Sequence, residues 1–333
     1  MSVIIIAEAG VNHNRDLDMA FKLVDAAKEA GADIVKFQAG IPEEVVTNTG
    51  IMAPYQVKNI GKTESQLEMI RKLSLDLNDF SKINQYCIEK NITFLATSFG
   101  ETATKYLSKL NMPFWKIPSG EITNLPYLRK IAAFSKPTIL STGMSNLGEI
   151  EAALEILING GLKRHNITIL HCTTQYPTSY EDVNLNAMVS LSKTFNLPVG
   201  YSDHTLGIEI PIAAVSLGAN IIEKHLTLDK NLSGPDHKAS LEPKEFSLMV
   251  NSIRNIEKSL GDGVKRATSS ESLNIPIARR SIVASKFIKK GDYLTEENIT
   301  VKRPGTGISP MHWDSIINKR SKRAYDIDDL ITW

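Results

Sequence analysis

Two short stretches end apolar runs with side chains able to bind a metal or move a proton. "GYSDHTLGI" (200–208) closes its run with Ser202, Asp203 and His204, and "IIEKHLTL" (221–228) with Glu223, Lys224 and His225. A strand covered on both faces reads as nearly all apolar, so each polar residue at its end needs a reason. The pattern recurs at Glu8, at Lys36 with Gln38, at Thr97, at Lys116 and Ser119 followed by Glu121, at Ser141, and from His171 to Thr174. A lone strand-end histidine is ordinarily a hydrogen-bonded structural residue. Two at neighbouring strand ends bring imidazoles within reach of one ion, and no cysteine or third histidine stands with them. That fits an open catalytic metal site better than a closed structural zinc. Lys36 and Lys116 would either pair with Glu8 and Glu121, or bind an anion or form a Schiff base. Asp236 would either cap a turn or serve the site, and Cys172 reads as a small buried filler. Two lysines, several hydroxyls and two imidazoles suit a substrate carrying carboxylate and phosphate beside a carbonyl that needs polarising.

Elements that must position these residues follow from the hydropathy pattern. Val- and Ile-rich runs at 3–8, 33–38, 93–99, 114–120, 137–143, 167–173, 198–204 and 221–228 read as eight strands. Between them lie amphipathic stretches such as "DLDMAFKLVDAAKEAGA", "LNDFSKINQYCIEKN" and "NLGEIEAALEILINGG", whose apolar positions recur every three or four residues. Strand and crossover helix in alternation predict an α/β fold, a (β/α)8 TIM barrel over 1–260. A doubly wound open sheet is the competing arrangement, but no G-x-G-x-x-G turn follows the first strand. The polar residues all fall at C-terminal strand ends, the face where barrels place their chemistry. The gap from Gln38 to Thr93 exceeds one crossover and predicts an excursion at the active-site rim. Residues 261–277 have a linker's composition, and 278–333, with strand-like "RSIVAS" and "NITVKRP", predict a small β-rich second domain.

Bulk properties narrow the function classes. In 333 residues, 38 basic and 37 acidic side chains nearly cancel, so no broad footprint for nucleic acid or an anionic membrane is expected. No run approaches the ~20 apolar residues of a membrane helix. "MSVIIIAEAG" is too short and lacks the basic region of a signal segment, and only Cys87 and Cys172 occur, so a soluble protein of the reducing cytoplasm is expected.

The motifs "IIAEAGVNHN", "DIVKFQ", "KIPSGEITNLPYL", "ILSTGMS", "HCTTQYPTSYEDVNLNAM", "VGYSDHTLGI", "IEKHLTLDK" and "GPDHKASLEP" stand in the order of the sialic acid synthase family, which the whole chain resembles. "KRPGTGISP" resembles the signature of that family's C-terminal antifreeze-like (SAF) domain. The resemblance implies condensation of phosphoenolpyruvate with an open-chain N-acylated mannose-type sugar, releasing phosphate. It implies a divalent metal on His204 and His225, usually manganese, with magnesium or cobalt as options. It makes Glu8 and Glu121 the acid–base candidates. Lys36, Thr97, Lys116, Ser119, Ser141, Thr174 and Ser202 match phosphoenolpyruvate-binding positions, and Gln38, Tyr176 and Asp236 match sugar-binding ones. Arg303 matches an arginine that the SAF domain delivers across a domain-swapped homodimer. Within the family the motifs look closest to N,N'-diacetyllegionaminate synthases, which use 2,4-diacetamido-2,4,6-trideoxymannose; N-acetylneuraminate synthases, using N-acetylmannosamine, are the alternative. Departures line the expected pocket: Arg15 where many members have glycine, "AGIPEE" after the second strand, and Thr174 in place of asparagine. Two rival classes are a Schiff-base aldolase using Lys36, Lys116 or Lys224, and a non-catalytic carbohydrate- or ice-binding protein suggested by the antifreeze-like tail.

Overall fold

A computed structural model describes residues 2–333, and these divide into two compact units, the first running to Gly261 and the second from Asp262 to Trp333. The first unit holds eight parallel strands: β1 Ile4–Gly10, β2 Ile34–Gly40, β3 Thr93–Phe99, β4 Trp115–Ile117, β5 Thr138–Ser141, β6 Ile167–Cys172, β7 Val199–Asp203 and β8 Ile221–His225. Their order is β3-β2-β1-β8-β7-β6-β5-β4, and β3 packs against β4, so the cycle closes as a (β/α)8 barrel. β7 and β8 are buried at every position, as strands covered on both faces must be.

Local chemistry explains where the helices start. Asp16 accepts from the backbone N–H groups of Asp18 and Met19 and opens the helix Leu17–Glu29, whose stripe Ala20, Leu23, Val24 and Ala27 packs into the core. Leu23 is fully buried, so Leu23→Ala would cost about 2–5 kcal/mol. Asn146 and Glu149 form a capping box ahead of the helix Leu147–Asn159. The excursion between β2 and β3 carries three short helices, Pro42–Val45, Pro54–Ile60 and Gln66–Leu73, before the crossover helix Leu77–Glu89.

The fourth strand is shorter than its apolar run suggests. Pro118 has no N–H to give a ladder, so β4 ends at Ile117 and Ser119–Glu121 wind into a 3-10 turn. Ser119 and Glu121 therefore stand on a turn rather than on a strand.

In the second unit, β9 Ser281–Ala284 pairs antiparallel with β10 Ile299–Lys302. Their inner faces join Ile288, Leu294, Ile316 and Tyr325 in a separate small core. Residues 262–280 are exposed almost throughout and carry two single-turn helices, Ser269–Ser272 and Ile275–Ala278. No helix among the described residues is long and apolar enough to cross a membrane.

Candidate active site

Parallel register places the polar strand ends side by side. Glu8 on β1 lies opposite Lys36 of β2 on one flank and His225 of β8 on the other. Ser202 of β7 lies between Cys172 of β6 and Glu223 of β8. Between Glu8 and Gly10 the β1 register slips by a residue, and Gly10 takes a φ of +53°. A Cβ there would stand 3.2 Å from Glu8 Oε1, 3.3 Å from Gln38 Nε2 and 3.5 Å from His225 Cε1, so glycine lets these three converge.

These ends surround a cavity of about 360 Å3. Every barrel residue to which the resemblance gives a role lines it, except Glu121. The Glu121 carboxylate, half-buried, accepts from Asn124 at the start of the following helix. Asp236 is buried at the cavity and makes no side-chain cap to the turn that follows it. Cys172, though buried, is part of the wall, its sulfur 3.2 Å from Ser119 Oγ. His171 is elsewhere: its Nε2 bonds the Val183 carbonyl at 2.8 Å. Arg303, exposed in the second unit, donates from Nε to the Ala278 carbonyl at 3.0 Å.

Charge is concentrated in one buried cluster. Lys36 Nζ is 2.8 Å from Glu8 Oε2 and 3.5 Å from Glu223 Oε2, and Lys116 Nζ is 3.2 Å from Glu223 Oε1. Ser202 Oγ donates to the same Glu223 oxygen at 2.9 Å, Lys36 donates to Thr97 Oγ1 at 3.0 Å, and Gln38 donates to Glu8 at 2.9 Å. Lys116 thus pairs with Glu223, not with Glu121. Burial opposes the Glu223 charge, but Lys116 and Lys36 outweigh it and hold its carboxyl well below the usual range. Burial lowers Lys116 despite Glu223, and raises Glu8 despite Lys36. Glu8 Oε2 and Glu223 Oε2 touch lysines only as ion pairs without hydrogen-bond alignment, and Ser141 Oγ has no partner at all. Buried polar atoms left open around one cavity are the signature of a ligand's place.

On the other side of Glu8 stand the imidazoles. The His204 and His225 ring centroids are 5.5 Å apart, with the Tyr176 ring 4.0 Å from His204 and edge-on to His225 at 5.7 Å. His204 Nδ1 lies 2.7 Å from the Thr173 carbonyl, which can only accept. The proton is therefore on Nδ1 and the lone pair on Nε2. Burial, with His225 alongside, brings His204 down to about 3; burial and then Lys36 bring His225 to about 3. Both rings are neutral and able to ligate. His225 Nδ1 is buried with no hydrogen-bond partner. Among the described residues no group of three His, Cys, Asp or Glu is placed to hold a metal ion.

Two contributions went unread in the sequence. Glu223 was visible as a strand-end acid sharing a face with His225, but not as the counter-ion of both lysines. The excursion supplies an apolar wall of Val45, Val46, Met69, Ile70 and Leu73, and the Tyr55 ring packs tilted against Tyr176 with centroids 4.9 Å apart. Only the length of the excursion hinted at this.

Known proteins share this architecture. The NeuB family profile matches residues 23–265 and the SAF domain profile residues 279–333. The chain is 53% identical to the N,N'-diacetyllegionaminic acid synthase of Campylobacter jejuni over 98% of both chains. It is 43% identical to the protein of the same name from Legionella pneumophila, covering 100% of this chain and 94% of that one. Among solved structures, the N-acetylneuraminic acid synthetase of Leptospira borgpetersenii in complex with citrate superposes with a TM-score of 0.72 at 34% identity, over 83% of this chain and 90% of that one. With a barrel of this topology, a cavity at its C-terminal face and full-length relatives at these identities, the chain belongs to the NeuB family of sugar-acid synthases and carries a SAF domain.

Proposed function

We propose that the chain condenses phosphoenolpyruvate with the open-chain form of 2,4-diacetamido-2,4,6-trideoxymannose to give N,N'-diacetyllegionaminate and phosphate. The observation that carries this reading is the division of one cavity into three parts. Lys36 and Lys116 with the unpartnered Ser141 hydroxyl form a cationic part, His204 and His225 a metal-competent part, and Val45, Met69 and Ile70 an apolar part. An enol phosphate, an aldehyde and a methyl-bearing sugar need these three surroundings.

The donor set fits a divalent ion, manganese in our reading, with magnesium or cobalt as substitutes: two neutral imidazoles, one fixed through its second nitrogen, and an incomplete shell. Such an ion supplies Lewis-acid polarisation of the sugar aldehyde. The chain's own residues do the rest. Lys36 and Lys116 oppose the carboxylate and phosphate, aided by the hydroxyls of Thr97, Ser119, Ser141, Thr174 and Ser202. This fixes C3 of the enol pyruvate for attack on C1 of the sugar. As that carbon–carbon bond forms, the aldehyde oxygen takes a proton, water adds at C2, and phosphate leaves with its bridging oxygen. Glu8, beside His225 and raised by burial, is placed to move a proton at that face. Glu121, whose carboxylate lies outside the cavity lining beside Asn124, is the second acid–base candidate. Gln38, Tyr176 and Asp236 would hold the sugar.

The apolar part favours the 6-deoxy sugar. A C6 hydroxyl set against Val45, Met69 and Ile70 would lose its water without gaining a partner, costing about 1–3 kcal/mol. By the family resemblance we also assign a domain-swapped homodimer in which Arg303 serves the sugar's N-acyl group, and a cytoplasmic setting; light scattering of the full chain tests the dimer. The primary experiment is phosphate release from phosphoenolpyruvate with manganese, comparing the diacetamido sugar with N-acetylmannosamine, each with and without EDTA. Chelator-sensitive preference for the first supports the assignment. Preference for N-acetylmannosamine makes the chain a neuraminate synthase, and pyruvate trapping by borohydride on a lysine would favour the aldolase class.

A further inference from the structure

We propose that Asp203 and Lys224 are positioning residues, a buried ionic tie that sets the separation of His204 and His225. The inference rests on the reading that the two imidazoles share a divalent metal. In the β7–β8 ladder Asp203 lies opposite Lys224, while Ser202 lies opposite Glu223. Side chains alternate along a strand, so Ser202, Glu223 and His225 face the cavity and Asp203 and Lys224 face away from it. Lys224 is thus withdrawn from the cavity and is no Schiff-base nucleophile.

Both members of the pair are completely buried, with Lys224 Nζ 2.5 Å from Asp203 Oδ2. The same ammonium also donates to the Thr205 carbonyl. Asp203 Oδ1 in turn accepts from Thr205 N–H at 3.0 Å and Thr205 Oγ1 at 2.9 Å. The tie therefore grips both residues that flank His204, and it originates from the residue that precedes His225. His204 has a second anchor of its own in the Thr173 carbonyl, whereas His225 Nδ1 has none. The position of His225 relative to His204 is thus left to the backbone and to this tie.

Stability does not account for the charges. Replacing a buried ion pair by apolar side chains of similar volume is often neutral or stabilising, because the cost of desolvating two charges roughly cancels their attraction. Apolar contact, however, has no preferred direction, whereas an ammonium bound to a carboxylate and a carbonyl fixes two strand ends at a set distance and angle. A metal held by only two protein ligands depends on that distance more than a four-ligand site would.

The test uses the full-length chain stripped of metal, titrated with Mn2+ by calorimetry, with thermal denaturation and phosphoenolpyruvate binding measured in parallel without metal. The variants are Asp203→Asn with Lys224→Met, the isosteric Asp203→Asn alone in case the double variant does not fold, and His225→Ala as the ligand control. Manganese affinity should fall about 10–100-fold in the tie variants, the range expected for residues that orient metal ligands. The melting temperature of the double variant should lie above that of Asp203→Asn alone, which leaves the buried Lys224 charge unpaired, and phosphoenolpyruvate affinity should be unchanged in both. Wild-type manganese affinity in a folded tie variant, with His225→Ala impaired, overturns the proposal while leaving the metal assignment standing. Equal affinity in wild type and His225→Ala overturns both.

Discussion

Lys116 Nζ stands 3.2 Å from one oxygen of Glu223, and Lys36 Nζ stands 3.5 Å from the other, so one buried acid serves two buried bases. Glu223→Gln would leave the lysines with Glu8 alone. Removing one partner from a buried ionic cluster costs about 3–5 kcal/mol. On the proposed reading, phosphoenolpyruvate would bring a carboxylate and a phosphate to the same lysines and restore the missing negative charge. The ligand-free variant should melt well below wild type, and added phosphoenolpyruvate should raise its melting temperature by more than it raises that of wild type. Equal rises would remove Glu223 from the counter-ion role.

Asp236 offers a pH dependence with a defined sign. Burial, and secondarily Glu8, raises its carboxyl to about 7 in the fold. The folded value lies above the unfolded one, so the fold favours the protonated form. The stability this contributes is complete below about pH 4, the ordinary aspartate value, and is lost as pH rises through about 7. Asp236→Asn cannot ionise and escapes that loss. In metal-free, ligand-free protein the variant should gain on wild type as pH rises from the ordinary aspartate value to the raised one, by roughly 1.4 kcal/mol for each pH step of one, as followed by urea denaturation. A difference that does not change with pH would mean that Asp236 is solvated in the native state.

Much of this architecture was legible because burial leaves a periodic trace. Short apolar runs pointed to β7 and β8, and the polar residues that end them pointed to the cavity face before any geometry was known. Pro118 also carried a readable signal, since a residue without an N–H was bound to end β4 before Ser119. Lys224 was likewise readable from alternation: if Glu223 and His225 face the cavity, the residue between them faces the helices. The pairing of Lys116 with Glu223 was not legible, because it joins strands far apart in the chain across the barrel interior. The apolar wall was not legible either, because the three short helices of the excursion leave little periodicity.

Gly143 tests how tightly the end of the cavity around Ser119 and Thr174 is built, the end proposed for phosphoenolpyruvate. Its N–H donates to Ser119 Oγ at 2.9 Å, and a Cβ on it would stand 2.3 Å from Thr174 Oγ1 and 2.9 Å from Ser119 Oγ. Gly143→Ala must displace both hydroxyls that line the cavity. The KM for phosphoenolpyruvate should rise roughly 10–100-fold, the scale of an ångström-sized misplacement, with a smaller change in kcat. Adding Thr174→Ala removes the nearer obstacle and should restore part of the loss. An unchanged KM in Gly143→Ala would show that these hydroxyls do not contact phosphoenolpyruvate.

The proposed metal site would separate binding from chemistry. His204 and His225 are neutral with values near 3, so at pH 7 no proton competes for their lone pairs. Affinity for Mn2+ should therefore be nearly flat from pH 6 to 8, unlike that of a site built from ordinary histidines. His204→Ala should abolish phosphate release while leaving phosphoenolpyruvate binding intact, because Lys36 flanks Glu8 on the side away from His225 and Lys116 is held by Glu223 rather than by an imidazole. Loss of both together would place the imidazoles in the anion site instead.

The apolar wall carries the last expectation, the choice of sugar. Ile70 is half-buried and, with Val45 and Met69, closes the side of the cavity opposite in character to the lysines. Ile70→Thr keeps the branched shape and supplies a hydroxyl that can donate and accept. A C6 hydroxyl would then find a partner that the wild-type wall denies it, while the C6 methyl would lose some apolar contact. The ratio of kcat/KM for the 6-deoxy sugar over its 6-hydroxy analogue should fall roughly tenfold, within the range that one group in a hydrophobic pocket commands. Because Ile70 lies outside the buried core, the melting temperature should barely move, so a change in the ratio would report on recognition and not on folding. A ratio that stays put would shift the reading of C6 to the other lining residues, with Gln56 and Gln66 the next side chains to exchange.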